Sequence, residues 1–482
     1  MTTKTAIVEV SSGLLCGTDG SVRAFKGIPY AAPPIGNFRW RAPRSVEPWS
    51  GVRSALAFGP ICPQPGRHAP GATSEDCLSL NIWSPANARG RPVMVWLHGG
   101  GWRRGAGSST RTHGERLASQ GVVVVTLNFR LGILGFMAHP ALSAETTERV
   151  SSNYALLDII EALGWIRQNI AAFGGDPGNV TLFGQSSGAQ AICDLMISPL
   201  AQGLFHRAIM QSAPVLRPPY AQMTLSQAEQ EGRRYGEDIR TLRQAKLEDL
   251  LANMPSVDYE TRASIANPHY PVCDGYVLPS DEKTAFSNSA FERMPVMIGN
   301  TIAEWRHYTQ NVVAHTLEGY QLYLKRRFAG FAQEAARLYP AHNDESAIEA
   351  QAMITADTSL SWGVRELARR VAPVAQTFRY LYAHSRDGFP PTHSDEIAVL
   401  FGNEVDRAGK LASFSQADRE VSGLMQRAWV NFAECGDPNG PGVNWSPFDR
   451  KSESYLEIKE AAEMGAGWRD EYIDFIGRTL RR

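Results

Sequence analysis

The sequence predicts an α/β fold built on a large, mostly parallel central sheet flanked by helices, and three observations carry that prediction. Short apolar runs recur along the chain, each bounded by glycine, proline or charge, as expected for strands buried on both faces. Helical patterns lie between many of them, for instance over Leu156 to Ile170, where apolar residues recur at helical spacing. A chain of 482 residues, 43% of them apolar, has the material to bury such a sheet under helices on both sides.

In chain order the expected strands are Val93 to Leu97, Val122 to Asn128, Val180 to Phe183, Val296 to Ile298 and Thr377 to Tyr382. The stretches 226–251 and 317–371 are charged and helix-like, and are expected as insertions packed over or beside the sheet. The chain contains no internal repeat, no low-complexity tract and no long linker. One domain over residues 1–482, with those two helical insertions, is therefore expected.

The run from Val180 leads into Gly184-Gln185-Ser186-Ser187-Gly188 and then into an amphipathic helix. G-x-S-x-G alone arises by chance in about one chain of this length in six. Its place between a strand and a helix is what a nucleophile elbow requires, because flanking glycines let the turn close without clashes. Ser186 is then the candidate nucleophile. A serine hydroxyl needs a base, an orienting carboxylate and donors for the developing oxyanion. The strand at Val93 breaks into His98-Gly99-Gly100-Gly101, whose bare backbone N–H groups can supply such donors. No Gly-Lys-Ser/Thr follows and G-x-G-x-x-G is not completed, which argues against a nucleotide cradle.

Taken together, "VRAFKGIPYAAPPIGNFRWRAP" from Val22, "SEDCLSLNIWSP" from Ser74, "HGGGW", "NFRLGILGF" from Asn128, "NIAAFGGDPGNVTLFGQSSG" from Asn169, "FHRAIMQS" from Phe205 and "NFAECGDPNG" from Asn431 resemble the landmarks of the type-B carboxylesterase and cholinesterase family, in family order. The resemblance runs nearly the full chain and implies the α/β-hydrolase fold and a serine carboxylesterase. It implies Ser186 as nucleophile and the N–H groups of Gly100, Gly101 and Ser187 as the oxyanion hole. It implies Glu304, in "MIGNTIAEW", as the acid and His393, in "HSDEIAVLFG", as the base. Ser212 and Glu396 match family positions near the histidine and are expected to brace it, although both residues could equally be ordinary polar residues.

Five of the eleven histidines follow Glu304, so chain order alone does not choose the base; His384, ending "FRYLYAH", is the nearest rival. Glu304 departs from the family pattern, with Ala303 before it and Trp305 after it in place of aspartate and glycine. A helix-starting glutamate is the competing reading. Trp102 replaces the commoner phenylalanine, and both Trp102 and Trp305 are candidate pocket walls. Gln185 stands where cholinesterases carry a glutamate, and the loop between Cys62 and Cys77 holds no tryptophan. Both differences turn the expectation away from choline esters, toward neutral apolar or aromatic esters hydrolysed through an acyl-enzyme. Amide or aryl-carbamate hydrolysis by the same groups is the alternative, and a non-catalytic cholinesterase-like binding domain is a third reading.

A formal charge of -1 and a pI near 6.8 give no reason to expect nucleic acid or an anionic membrane as partner. A small-molecule ester is the expected partner. The N-terminal "MTTKTAIVEV" lacks the features of an export signal, so a cytoplasmic protein is expected. The longest apolar run, Val122 to Leu127, is far short of the roughly 20 residues that span a bilayer. None of the six cysteines forms a C-x-x-C pair, and neither a metal nor a cofactor is expected. Cys62 and Cys77 could close a loop in an oxidising compartment and are expected as free thiols in a reducing one.

Overall fold

The computed structural model describes residues 4–65, 72–216, 222–252 and 270–480. The N-terminal part is antiparallel. Strands β1 (Thr5–Val10) and β2 (Gly13–Thr18) form a hairpin, and β3 (Val22–Pro29) continues it toward β5 (Ser79–Pro85). The short β4 (Val52–Ser54) lies parallel to β2. The centre of the sheet is parallel: β6 (Arg91–Leu97), β7 (Val123–Leu127), β8 (Gly175–Gln185), β9 (Arg207–Gln211), β10 (Val296–Thr301), β11 (Thr377–Tyr382) and β12 (Tyr455–Ile458). A last antiparallel strand, β13 (Glu463–Gly465), closes the far edge. The order across the sheet is β1-β2-β3-β5-β7-β6-β8-β9-β10-β11-β12-β13.

This is the α/β-hydrolase fold the sequence predicts. Every strand expected from an apolar run is present, because these strands are buried on both faces and so read as unbroken hydrophobic stretches. Alternation along β6 sends Val93, Val95 and Leu97 into one core and Met94 and Trp96 into another. On the first face lie the helices Tyr154–Asn169 and Ser187–Ile197. On the second lies Gln416–Cys435, started by a Ser415–Asp418 capping box and stopped at Gly436, which takes the left-handed φ of 83° that favours glycine.

The stretch 226–251 forms three short helices whose Ile239, Leu242 and Leu250 join the first core. The stretch 317–371 forms the helices Leu317–Phe328, Ala332–Leu338, Asp344–Ala356 and Trp362–Val371. A π-helical turn, Asp357–Ser361, joins the last two. Cys62 and Cys77 are buried free thiols, and the Leu131 N–H donates to Cys62 Sγ at 3.3 Å. Part of the loop between them, residues 66–71, lies outside the described residues.

Strand order reverses around β6, since β7 pairs on one side of it and β8 on the other. In open α/β sheets such a reversal leaves a crevice beyond the carboxyl ends of the strands. The candidate residues follow the ends of β6, β8, β9, β10 and β11, so the fold delivers them to that one edge.

Candidate active site

At the end of β8 the chain turns sharply into the helix Ser187–Ile197, and Ser186 sits at the turn with φ 57° and ψ −126°. This backbone conformation costs an L-residue about 1–3 kcal/mol and is retained where the surroundings enforce it. The Ser186 N–H donates to the Gln211 carbonyl at 2.8 Å, tying the elbow to β9. Both flanking glycines are sterically required. A Cβ on Gly184 would lie 2.8 Å from the Gly188 backbone, and one on Gly188 would lie 2.0 Å from the Leu97 carbonyl oxygen.

The loop leaving β6 is equally crowded. Gly100 has φ 120°, and a Cβ there would fall 2.0 Å from the Arg104 carbonyl oxygen. Gly101 also takes a positive φ, 64°. His98 anchors the loop by stacking on Phe129 at 4.3 Å, and burial lowers its pKa to about 4, so it is a neutral spacer. Ser186, Ser187, Gly100, Gly101, Gln185 and His393 all border a single cavity of about 630 Å³.

Glu304 begins a short 3-10 turn after β10, as the competing reading supposed, but its carboxylate is buried and fully engaged. Oε2 accepts from His393 Nδ1 at 2.6 Å. Oε1 accepts from the Ser212 hydroxyl at 2.5 Å and from the Thr301 N–H at 2.9 Å. Burial alone would raise this carboxyl's pKa. The neighbouring imidazole and the three donors overcome that and hold it below its ordinary value, so Glu304 is an anion. Its bond to Nδ1 fixes the tautomer whose lone pair is on Nε2.

The Gln185 amide nitrogen is 3.1 Å from His393 Nε2 and 3.4 Å from Nδ1, so it lies against the ring rather than end-on to one nitrogen. His307 packs on the ring as well, with centroids 4.8 Å apart. Beside the histidine, Ser394 takes φ 73° where the family pattern has glycine, and the half-buried Arg111 donates to its carbonyl and, at 3.4 Å, to its hydroxyl.

Ser212, itself at φ 51°, therefore braces the carboxylate rather than the histidine. Glu396 is buried with Oε1 accepting from Gln211 Nε2 at 3.1 Å, and Oε2 has no hydrogen-bond partner among the described residues. Burial, and then the nearby Glu304 charge, push its pKa up to about 7. His384 is held elsewhere, between Asp418 at 2.8 Å and Glu460 at 3.0 Å.

Neither tryptophan borders the cavity, which corrects their expected place as pocket walls. Trp102, at φ 60°, turns into the core, where its indole N–H donates to Gln190 Oε1 at 3.1 Å and its ring meets Phe136 edge-on. Trp305 packs, half-buried, against the small apolar cluster that includes Tyr308 and Leu360. Besides the groups around Ser186, the cavity is bordered by Arg103, Arg104, Tyr270, His307, Tyr308 and Leu360.

A profile of the carboxylesterase family matches residues 4–476. The chain belongs to this family. It is a carboxylic-ester hydrolase, and the family acts on small-molecule esters. Among similar proteins, a fumonisin B1 esterase of Sphingopyxis macrogoltabida is 40% identical over an alignment 463 positions long that covers 92% of this chain and 85% of that protein. A para-nitrobenzyl esterase of Bacillus subtilis is 34% identical over 93% of this chain and 94% of its own length. A solved PNB esterase structure superposes with a TM-score of 0.84 at 32% identity, covering 98% of this chain and 100% of the other.

In this carboxylesterase the residues that sequence reasoning missed are those with no motif of their own. Arg103, Arg104, Tyr270, His307 and Tyr308 border the cavity but fall in loops and a short turn where periodicity is silent. Only the two arginines left a signal, since they come straight after the HGGGW motif that ends at Trp102. Among the described residues no group of three or more His, Cys, Asp or Glu side chains is placed to hold a metal ion. No helix among the described residues is long and apolar enough to cross a membrane.

Proposed function

We propose that this carboxylesterase works through an acyl-enzyme on Ser186, with His393 as base and Glu304 as its orienting anion. The observation that carries the reading is the 2.6 Å bond from His393 Nδ1 to a buried Glu304, at the cavity that Ser186 also borders. His393 Nε2 takes the Ser186 hydroxyl proton as Oγ attacks the ester carbonyl carbon. The N–H groups of Gly100, Gly101 and Ser187 receive the negative charge that develops on the carbonyl oxygen. Collapse breaks the bond to the alcohol oxygen, and the alcohol leaves with the proton from His393. Water then gives a proton to His393 and attacks the acyl carbon, releasing the acid and restoring Ser186. Glu304, held by Ser212 and Thr301, stabilises the imidazolium in both steps.

Aryl esters fit the aromatic part of the border, Tyr270, His307 and Tyr308, and Gln185 places no anion beside the imidazole to favour a cationic substrate. Neutral apolar or aromatic esters are thus the proposed basal substrates. A cytoplasmic location is part of this reading, in which Cys62 and Cys77 stay free thiols. The test is Ser186→Ala with a short 4-nitrophenyl ester and an aryl phosphonate. Turnover is expected to fall by several powers of ten and covalent labelling to vanish, with the circular dichroism spectrum unchanged. Normal turnover by the folded variant would overturn the assignment.

A further inference from the structure

Three successive residues after β6, Gly100, Gly101 and Trp102, take positive φ values of 120°, 64° and 60°. The glycines adopt them freely, whereas a tryptophan in that region is strained and stays there only where its surroundings enforce it. The side chain supplies that enforcement. The ring is buried, with Phe129 and Phe136 edge-on to it at 6.1 and 5.1 Å, and the indole N–H donates to Gln190 Oε1 at 3.1 Å. The Trp102 carbonyl accepts from the Gly132 N–H at 2.7 Å.

Gln190 belongs to the helix that follows Ser186, in the turn where its N–H donates to the Ser186 carbonyl at 2.9 Å. It is buried and borders the cavity. At its other end Nε2 donates to Glu282 Oε1 at 3.0 Å, and Glu282 Oε2 accepts from the Leu216 N–H at 3.0 Å. Both oxygens of this buried carboxyl group act as acceptors, and an indole N–H can only donate. A side chain between them must offer an acceptor to one and a donor to the other. That requirement fixes which way the Gln190 amide faces.

We propose that Gln190 is a positioning residue for the oxyanion hole, clamping the glycine loop to the nucleophile helix through Trp102, with Glu282 orienting the clamp. The role rests on the acyl-enzyme reading above, in which Gly100 and Gly101 give donors from the loop and Ser187 gives one from the helix. The oxyanion must meet N–H groups of two separate elements at once. The bond from Trp102 to Gln190 ties those elements together, one residue beyond Gly101 and three beyond Ser187. Without it the strained loop is free to relax away from the helix, a change that the ground-state ester tolerates and the tetrahedral intermediate does not.

Gln190→Leu and Trp102→Phe each remove one end of that bond and keep an apolar group in its place. With a short 4-nitrophenyl ester, each is expected to lower kcat about tenfold while KM stays within about twofold. Each should also weaken a reversible aryl trifluoromethyl ketone, whose adduct carries an oxyanion, by the same factor as kcat/KM. The double variant should be no worse than the more damaging single one, since only one bond is lost. Gln190→Leu also strands a Glu282 oxygen, so Trp102→Phe carries the test if circular dichroism shows that the first variant does not fold. Glu282→Gln offers the Gln190 amide a donor as well as an acceptor and should lower kcat severalfold, with ketone affinity falling in step. A parent-like Glu282→Gln overturns the orienting role. Folded Gln190 or Trp102 variants that keep the parent kcat overturn the clamp, as do losses carried by KM, or a double variant whose loss is the product of the single losses. Phosphonate labelling of the parent enzyme, and its loss in Ser186→Ala, tests the acyl-enzyme reading without reference to the clamp, so either idea can fail alone.

Discussion

Gln185 lies against both ring nitrogens of His393 without carrying charge, and that neutrality has a measurable consequence. A carboxylate in its place would stabilise the imidazolium and raise the histidine pKa. Gln185→Glu is therefore expected to move the acid limb of the kcat/KM profile to higher pH by about one unit. An unchanged limb would mean that His393 is not the titrating base. Glu396 gives a stability prediction of definite sign. Its pKa is raised from 4.5 to about 7 in the folded state, so between those values the native protein keeps a proton that the unfolded chain has lost. Stability is then lost as pH rises through that window, and the cost is complete above about pH 7. Glu396→Gln should thus be more stable than the parent at pH 8, by roughly 3 kcal/mol, and close to it at pH 4. Urea unfolding at the two pH values checks this, and an equal difference at both would refute it. At this scale Ser186, Glu304 and His393 were legible because short motifs flank them. Gln185's contact with the ring, the direction of Trp102 and the Glu396 oxygen that has no partner among the described residues were not, because each is set by side chains distant in sequence.

The elbow and the glycine loop are elements whose backbone geometry, rather than side-chain chemistry, does the positioning. Gly188 touches the strand end of the loop, since any Cβ there would meet the Leu97 carbonyl oxygen at 2.0 Å. Gly188→Ala is expected to cost roughly 3 kcal/mol or more, because the obstructing atom is backbone and cannot rotate away. It should also lower kcat more than it raises KM, because it displaces the Ser187 N–H from its proposed place in the oxyanion hole. Unfolding curves and steady-state kinetics on the same sample would show whether both fall together, and normal values for both would contradict the packing described. The parallel strands were readable from their unbroken apolar runs. The strands β1 to β5 at the N-terminal edge escaped notice because most are partly exposed and mix polar with apolar residues, and β12 and β13 because they are too short for a pattern. The π-helical turn Asp357–Ser361, which carries the cavity residue Leu360, has no sequence signature at all.

Across the whole molecule, one continuous sheet connects the hairpin at one edge with β13 at the other, and the proposed nucleophile, acid and base follow three of its strands. A single folding unit is expected to lose its activity and its core together. Trp96, Trp429 and Trp445 are buried on the face served by Gln416–Cys435, so their emission reports the core independently of ester turnover. The two signals should fall in one coincident urea transition, and activity lost at clearly lower urea would show instead that the catalytic edge opens by itself. The parallel direction of β8 to β12 has a further consequence for how such a protein can change over generations. The longest connections, 212–295 after β9, 302–376 after β10 and 383–454 after β11, all leave from the same edge as Ser186. The returns that enter the opposite edge set only the packing of the sheet. Lengthening the parts of those excursions that lie away from Glu304 and His393 can thus remodel what enters the cavity while the strands beneath Ser186 stay paired. Exchange of 213–295 or 305–376 between relatives would leave Ser186, Glu304 and His393 in place and is expected to change which esters are accepted.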